Sequence, residues 1–231
     1  MEQLLRDGLR AQGLDVSCAV PLMHYAQLLT EANKVMNLTA ITDPKEIATL
    51  HFLDSTALLT LAELAGKTVV DVGTGAGFPG VPLRLAEPSL HLTLLDSLQK
   101  RISFLEGACR ELGLADVNCV HARAEEFAAA HRESFDVAVS RAVASLPLLA
   151  ELCLPLVKVG GVFLAMKSVG SDEELTAAQK AIETLGGRVR SVQDYAIPGC
   201  AVRHRLITVE KCRPTPGKYP RPFAKIKKAP L

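Results

Sequence analysis

The chain of 231 residues carries 26 Lys or Arg residues, 25 Asp or Glu residues and a formal net charge of +1, and 48% of its residues are hydrophobic. This composition excludes a disordered chain, and the length fits one domain with a modest extension. No apolar run reaches the length of a membrane span, and the first ten residues, MEQLLRDGLR, lack the apolar segment of a signal peptide.

The first third of the chain is predicted to be helical. Leu4, Leu5 and Leu9 indicate a short first helix. The dipeptide Asp43-Pro44 supplies a helix cap and a first-turn proline for a later helix that ends near Leu53. Between them, apolar side chains follow the spacing of one helix face: Leu22, Tyr25, Leu29, Ala32 and Met36. This stripe indicates core packing rather than a ligand site.

After Gly66, short apolar runs alternate with amphipathic segments. The predicted strands are Thr68–Val72, Leu90–Leu95, Val117–Val120, Phe135–Val139, Gly161–Met166 and Leu206–Val209. The predicted helices are Val81–Ala86, Leu98–Leu112, Glu125–Ala130, Ser145–Val157 and Asp172–Leu185. This alternation predicts an α/β fold with a parallel, doubly wound sheet covered on both faces, in which the last two strands form an antiparallel pair.

The stretch DVGTGAGFPG at 71–80 follows the first predicted strand and places a glycine-rich turn at its carboxyl end. Ligands of open α/β sheets bind at such ends. Gly75, Gly77 and Gly80 match the dinucleotide pattern GxGxxG, so a nicotinamide enzyme stays an alternative, whereas a triphosphate loop would require a GK[ST] ending that is absent.

The form Asp-x-Gly-x-Gly-x-Gly, with Asp96 ending the next strand, resembles motif I of class I S-adenosylmethionine-dependent methyltransferases. S-adenosylmethionine carries no pyrophosphate, and a carboxylate at the end of the second strand can accept hydrogen bonds from its ribose. The alternative for Asp96 is a cap of the following helix.

Longer stretches carry a more specific resemblance. They are NLTAI at 37–41, HFLDS at 51–55, DVGTGAGFPG at 71–80, LLDSLQKRISFL at 94–105, RAEEF at 123–127, SRAVASL at 140–146 and KYPR at 218–221. In this order they resemble the ribosomal small-subunit methyltransferase G family, also called glucose-inhibited division protein B, over nearly the whole chain. The resemblance implies a class I, Rossmann-like methyltransferase domain at 66–210, an N-terminal helical extension at 1–65 and a basic, proline-rich tail at 211–231.

The resemblance further implies a cytoplasmic bacterial enzyme that needs no metal. It would transfer a methyl group from S-adenosylmethionine, leaving S-adenosylhomocysteine, to N7 of a guanine in the decoding-region loop of 16S rRNA in the 30S subunit. The implied cofactor residues are Gly73, Gly75, Phe78, Asp96, Ser97, Ala124, Glu125 and Arg141. A monomer is favoured. The family pattern departs at Ala32, often aromatic, and at Leu50, often basic, which weakens an RNA role for the helix around Leu50.

Arg141 follows the fourth strand and is expected to position the target base. Its alternative is a structural ion pair with Asp71 or Glu125. His51 and Asp54 are spaced for one helix face, which indicates a local hydrogen bond or, by resemblance, closure of the cofactor site. No general base is expected, because guanine N7 has a lone pair and no proton to lose.

The six cysteines, at 18, 109, 119, 153, 200 and 212, form no close pair, which predicts reduced thiols and no zinc site.

Residues 211–231 hold seven Lys or Arg residues and no acid, so residues 1–210 carry 19 basic and 25 acidic side chains. This tail is expected either to be solvated or to lie along RNA, with its removal sparing the cofactor site. Further candidate RNA contacts are Lys100, Arg101, Arg123, Lys167, Arg203 and Arg205. Methylation of a small molecule or protein, and an RNA-binding assembly factor without transferase activity, remain alternatives.

Overall fold

The computed structural model describes residues 1–141 and 144–231. Its N-terminal part consists of helix α1 (Glu2–Ala11), a 3-10 turn (Val16–Cys18) and helix α2 (Ala19–Met36). The stripe predicted on α2 faces the core, since Leu22, Tyr25 and Leu29 are all fully buried. The sequence therefore predicted both helices of this extension, and the core-facing side of α2, from apolar spacing alone.

A second helical segment follows at 44–61. It comprises α3 (Pro44–Glu46), a π-helical stretch (Ile47–Leu53), α4 (Asp54–Thr56) and α5 (Leu58–Leu61). The predicted start is confirmed, because the Asp43 carboxylate accepts hydrogen bonds from the backbone N–H groups of Lys45 and Glu46 at 2.9 and 3.0 Å. The segment runs past the predicted end near Leu53, since the buried Ser55 hydroxyl donates to the His51 carbonyl and stays satisfied inside the helix.

Seven strands form a single sheet. They are β1 (Thr68–Val72), β2 (His91–Asp96), β3 (Asn118–His121), β4 (Phe135–Arg141), β5 (Val157–Ser168), β6 (Gly187–Ala196) and β7 (Arg203–Lys211). Their spatial order is β3-β2-β1-β4-β5-β7-β6. The first five strands are parallel, and β7 is antiparallel to both of its neighbours, which confirms the predicted antiparallel pairing of β5 with β7. The strand order reverses between β1 and β4, so a ligand is expected at the carboxyl ends of these strands.

Helices cover both faces of the sheet. They are α6 (Gly80–Ala86), α7 (Gln99–Glu111), α8 (Ala124–Ala130), α9 (Leu146–Cys153) and α10 (Asp172–Thr184). Two hydrophobic clusters result, and neighbouring residues of β1 belong to different ones, Val69 to the first and Val70 to the second. This alternation explains why the strands are continuously apolar: their side chains are buried alternately above and below the sheet.

One predicted element ends earlier than expected, and one strand was not predicted. The helix predicted over Ser145–Val157 ends at Cys153, followed by a 3-10 turn at Leu154–Leu156, and Val157 begins β5. Strand β6 was not predicted, because its sequence GRVRSVQDYA is mostly polar and it lies at the sheet edge, where most of its side chains remain in contact with solvent.

The C-terminal segment is folded, which corrects the expectation of a solvated tail. Strand β7 runs through Lys211, and residues 213–231 then pack against the core and end in α11 (Phe223–Lys228). Tyr219 is only 7% exposed and Ile226 is fully buried. Because buried side chains hold this segment in place, it is part of the folded domain. We call residues 213–231 the C-terminal strap.

Candidate functional site

The glycine-rich turn is held by hydrogen bonds to β1 and β2. Asp71, which is fully buried in β1, accepts hydrogen bonds through Oδ2 from the Thr74 hydroxyl at 2.7 Å and the Gly80 backbone N–H at 2.8 Å. The backbone N–H groups of Gly73 and Thr74 both donate to the Leu95 carbonyl of β2. Asp71 therefore stabilises the turn from the protein interior and does not face a ligand.

Glycine is required in this turn for two different reasons. Gly77 has a φ of 84°, and a Cβ atom there would collide with the Tyr25 hydroxyl, Val81 and Leu105. Gly75 has a φ of 61° but no close neighbour where a Cβ atom would stand. Both residues therefore adopt a backbone conformation that favours glycine, and Gly75 in addition leaves open space above the turn.

Asp96 at the end of β2 connects the turn to helix α7. Its Oδ2 accepts from the Gly75 backbone N–H at 2.9 Å and from Arg101 at 3.1 Å, and its Oδ1 accepts from the Leu98 backbone N–H at 2.9 Å. The helix cap is Leu98, which provides no side-chain cap. Asp96 is therefore not the helix cap; it closes the turn before α7 while lining the cavity described next.

A cavity of about 620 Å³ opens above the carboxyl ends of β1, β2 and β4. All eight residues predicted to bind a cofactor line it: Gly73, Gly75, Phe78, Asp96, Ser97, Ala124, Glu125 and Arg141. The sequence reasoning did not nominate the lining residues Leu38, Thr39 and Phe223, and it assigned Arg123, which also lines the cavity, to RNA contact. Leu38 and Thr39 lie in the quoted stretch NLTAI and could have been nominated from it, whereas nothing in the sequence linked Phe223 to this end of the sheet.

One wall of the cavity combines His51, Phe78 and Arg141. The His51 and Phe78 rings are stacked with their centroids 4.2 Å apart, and the Arg141 guanidinium lies 5.1 Å from the Phe78 ring centroid. His51 Nδ1 lies 3.2 Å from an Arg141 donor and must act as an acceptor, so Nε2 donates to the Thr39 hydroxyl at 2.9 Å. Burial, reinforced by the Arg141 charge, lowers the pKa of His51 to about 3 and keeps its ring neutral.

Asp54 is the buried carboxylate that pairs with Arg141 of this wall. Its carboxylate is fully buried and accepts hydrogen bonds from Arg141 at 2.9 Å, from the Tyr195 hydroxyl at 2.8 Å and from His204 Nδ1 at 2.8 Å. Although burial acts to raise it, the pKa of Asp54 is held below its usual value by these donors and the Arg141 charge. Arg141 therefore pairs with Asp54, not with Asp71 or Glu125, the two alternatives drawn from the sequence.

A second cavity, of about 640 Å³, shares His51 and Arg141 with the first. Its exposed wall is largely apolar, and its further polar lining residues are Asp54, Lys167, Ser168, Glu174 and His204. The apolar lining residues are Ile41, Leu50, Met166 and Val202. The Arg141 side chain thus separates two adjoining spaces, one above the glycine turn and one beside β5.

The cations expected to contact RNA differ in their surroundings. The Lys167 side chain is 8% exposed and pairs with Glu174, and the Arg205 side chain is 10% exposed and pairs with Asp172 and Asp194. These two side chains are largely buried and held in ion pairs, so neither is a solvated surface cation. Lys225, Lys227 and Lys228 of α11 are exposed.

Asp71 is fully buried, and its Oδ1 has no hydrogen-bond partner among the described residues. Burial raises the pKa of Asp71 to about 6, against the hydrogen bonds from Thr74 and Gly80. The folded protein therefore binds this proton more tightly than the unfolded chain, and the resulting stability is lost as the pH rises through about 6.

We compare the free energy of unfolding of Asp71→Asn with that of the wild type. The difference between the two proteins is expected to be about 2–3 kcal/mol more favourable to the variant at pH 8 than at pH 4. Urea denaturation of both proteins at the two pH values measures this difference. Asp136→Asn is the control, because Thr68 hydrogen bonds lower the pKa of Asp136, so its contribution is lost only below its unfolded value of 3.8 and D136N should change stability nearly equally at pH 4 and pH 8. Equal changes for D71N at both pH values would contradict a buried, proton-binding Asp71.

Within residues 1–141 and 144–231, no three His, Cys, Asp or Glu side chains are grouped so that they could hold a metal ion. Over the same residues, no helix combines the length and the apolar character needed to cross a membrane.

Comparison with known proteins identifies a family. A family model described as rRNA small subunit methyltransferase G matches residues 20–204. A relative from Alkaliphilus metalliredigens (strain QYMF), named ribosomal RNA small subunit methyltransferase G, is 46% identical over 100% of this chain and 98% of its own length. A relative of the same name from Clostridium botulinum (strain Loch Maree / Type A3) is 46% identical over 90% of this chain and 88% of its own.

Solved structures share the fold at low sequence identity. TrmN from Thermus thermophilus is similar with a TM-score of 0.53 and 22% identity, over 68% of this chain and 48% of that chain. TYW2 from M. jannaschii, solved in complex with AdoMet, gives a TM-score of 0.57 and 13% identity over 73% of this chain and 77% of that chain. The predicted fold, that of class I S-adenosylmethionine-dependent methyltransferases, is confirmed.

Proposed function

The chain belongs to the rRNA small subunit methyltransferase G family, and from this premise we propose that it methylates N7 of a guanine in the decoding-region loop of bacterial 16S rRNA. Membership makes it a methyltransferase of small-subunit rRNA that uses S-adenosylmethionine. The acceptor atom, the 30S subunit as partner and a cytoplasmic location belong to the proposal. The observation that carries it is the pair of adjoining cavities with Arg141 between them.

The residues of the first cavity suit S-adenosylmethionine. The Asp96 carboxylate lines the cavity, where it would accept hydrogen bonds from ribose hydroxyls, and Ala124 and Glu125 would border the adenine. Gly75 leaves room for a ligand over the turn, next to the aromatic face of Phe78. The turn contains no lysine, so it does not resemble a triphosphate site. When bound, the cofactor supplies an electrophilic methyl group on its sulfonium.

The chemistry requires positioning more than proton transfer. Guanine N7 carries an in-plane lone pair and no proton, so the protein must hold the nucleophile in line with the methyl group at close distance, an effect worth about 7–11 kcal/mol in favourable cases. The neutral His51 ring fits this requirement, because it is locked between Thr39 and Arg141 rather than free to accept a proton.

Arg141 is the proposed target-positioning residue. Three of its five N–H donors already have acceptors. One terminal nitrogen donates to the Leu50 carbonyl and to Asp54, and the other donates to His51. The other two find no partner among the described residues and would be available to guanine O6 or a phosphate. The second cavity, beside Arg141, offers apolar side chains against which a flat purine can pack.

The deciding experiment is methyl transfer. The protein is incubated with methyl-labelled S-adenosylmethionine and 30S subunits from a strain lacking its own enzyme, and the labelled nucleoside is identified by mass spectrometry after digestion. Label in 7-methylguanosine at one site is the expected result. Label in another nucleoside would overturn the N7 assignment. Absence of label, with S-adenosylhomocysteine binding confirmed by calorimetry, would favour another acceptor, and absence of both would favour an RNA-binding assembly factor.

A further inference from the structure

The C-terminal strap is tied to the domain at its beginning by polar contacts. Arg132 donates to the Thr215 carbonyl and, at 2.7 Å, to the Tyr219 carbonyl. The Thr215 backbone N–H donates to Glu133 at 2.8 Å, and its hydroxyl donates to the Leu185 carbonyl at 2.7 Å. These bonds fix the path of the strap over the domain before it reaches the carboxyl end of the sheet.

A buried ion pair fixes the strap again, next to the first cavity. Glu151 of α9 is fully buried and accepts three hydrogen bonds from Arg221, one from its backbone N–H and two from its guanidinium, at 2.6 to 2.9 Å. Two residues later in the chain, Phe223 lines the first cavity. Ile226, one turn further on, is fully buried in the hydrophobic cluster on the same face of the sheet. Phe223 is therefore held between two fixed points of the strap.

Phe223 meets the predicted adenine side of the cavity. The Arg123 guanidinium lies 5.4 Å from the centroid of its ring, and Arg123 also lies 3.9 Å from the Glu125 carboxylate. Ala124 and Glu125, which the proposed function assigns to the adenine, directly follow Arg123 in the chain. An aromatic ring and a guanidinium plane thus stand together at the edge of a space suited to a flat, aromatic ligand.

We propose that Phe223 is a cofactor-binding residue, which together with Arg123 forms the outer wall over the adenine, and that the strap links cofactor binding to RNA binding. The proposal rests on the proposed function for the identity of the cofactor. Glu151 and Arg221 are positioning residues, because they hold the strap and do not themselves reach the adenine side.

The proposed link to RNA depends on the solvent-facing side of helix α11, which contains Phe223. Lys225, Lys227 and Lys228 are exposed, while Ile226 between them is buried. Phosphate binding to these lysines would hold α11, and with it Phe223, against the domain. Because phosphate contacts would restrict α11 beyond what the strap contacts alone do, the two sites would be coupled, and the coupling is reciprocal: each ligand raises the affinity of the other by the same factor.

The test of Phe223 is the affinity for S-adenosylhomocysteine, measured by calorimetry without RNA. Phe223→Ala is expected to weaken binding about tenfold, since it removes the aromatic ring that would stack on the adenine. Phe223→Leu, which keeps the apolar packing, is expected to weaken it about threefold. Leu231→Ala is the control, because Leu231 is half-buried at the end of the strap and does not line the cavity; its affinity should equal that of the wild type.

Wild-type affinity in both Phe223 variants would overturn the proposal. If the alanine variant fails to fold, the leucine variant decides. Equal weakening in L231A would also overturn it, since general loosening of the strap would then explain the effect. These measurements need no RNA, so their failure is distinguishable from failure of the methyl-transfer experiment.

The link to RNA is tested by repeating the titration with saturating 30S subunits. In the wild type, the subunits should raise the affinity for S-adenosylhomocysteine about threefold or more. In a variant with Lys225, Lys227 and Lys228 all replaced by Ala, the gain should be lost, and the slope of log affinity for RNA against log salt should become shallower by up to about 2–3. An unchanged gain in the lysine variant would overturn the coupling.

Discussion

Asp54→Ala is expected to lower the free energy of unfolding by about 3–5 kcal/mol, because it removes one partner of a buried ion pair. The substitution would leave the Arg141 guanidinium, with a side chain only 14% exposed, without its charged partner. It would also leave the Tyr195 hydroxyl, which donates to Asp54, without that acceptor. Each lost partner of a buried polar group adds a desolvation cost of about 1–3 kcal/mol.

Urea denaturation at pH 7 measures this loss, with Asp7→Ala as the matched control. Asp7 also pairs with an arginine, Arg10 at 2.8 Å, but both side chains are more than half exposed. Exposed pairs contribute about 0–1 kcal/mol, so D7A should be nearly neutral. If D54A unfolded at the same urea concentration as D7A, the Asp54 network would not stabilise the domain.

The Asp54 network also predicts a pH dependence. The pKa of Asp54 is lower in the folded protein than its usual value, so the folded state binds this proton less tightly than the unfolded chain. Its contribution is therefore complete above the unfolded pKa and is lost as the pH falls through the folded pKa. The difference in stability between wild type and D54A should shrink on acidification, and a constant difference would contradict the assignment.

Asp96→Ala is expected to weaken S-adenosylhomocysteine binding at least about 100-fold, because hydrogen bonds to a charged group are worth about 1.5–3 kcal/mol each and the ribose offers two hydroxyls. The same change frees the Gly75 backbone N–H and Arg101, both of which donate to Asp96. The preorganisation of the turn is then lost together with the ligand contacts.

Calorimetry separates these two losses when Asp96→Asn is included. The amide keeps one acceptor oxygen for Gly75 but has no charge, so an intermediate loss of affinity is expected. Asp116→Ala is the control, because Asp116 pairs with Arg84, is largely exposed and does not line the cavity. Cofactor affinity in D96A equal to that of D116A would remove Asp96 from the proposed ribose site.

His51 stays neutral and has a structural role in the site. Its ring is stacked on Phe78, and each of its nitrogens faces a partner. With a pKa of about 3, it does not gain a charge in the physiological range. His51 therefore fixes the direction of the Arg141 guanidinium instead of exchanging protons, which is the property that a reaction governed by alignment requires.

The sequence by itself determined the local elements and the ends of the strands. Apolar runs and amphipathic periodicity predicted β1 to β5, β7 and most helices, since short-range patterning decides which face of an element is buried. The glycine turn and Asp96 were predicted for the same reason: the carboxyl ends of parallel strands meet at one edge of the sheet. All eight nominated cofactor residues line one cavity because each lies at, or just beyond, such an end.

Only the tertiary structure decided which distant residues meet. Arg141 and Asp54 are 87 positions apart, and His204 reaches Asp54 across 150 positions. The polar edge strand β6 has no apolar pattern of its own and forms by pairing with β7. The strap appeared in the sequence as a basic tail, yet Glu151 and a hydrophobic cluster bring Phe223 to the cavity. The physical reason is common to all three: the stabilising partners are long-range, and no local periodicity encodes a buried charge pair or the course of an irregular segment.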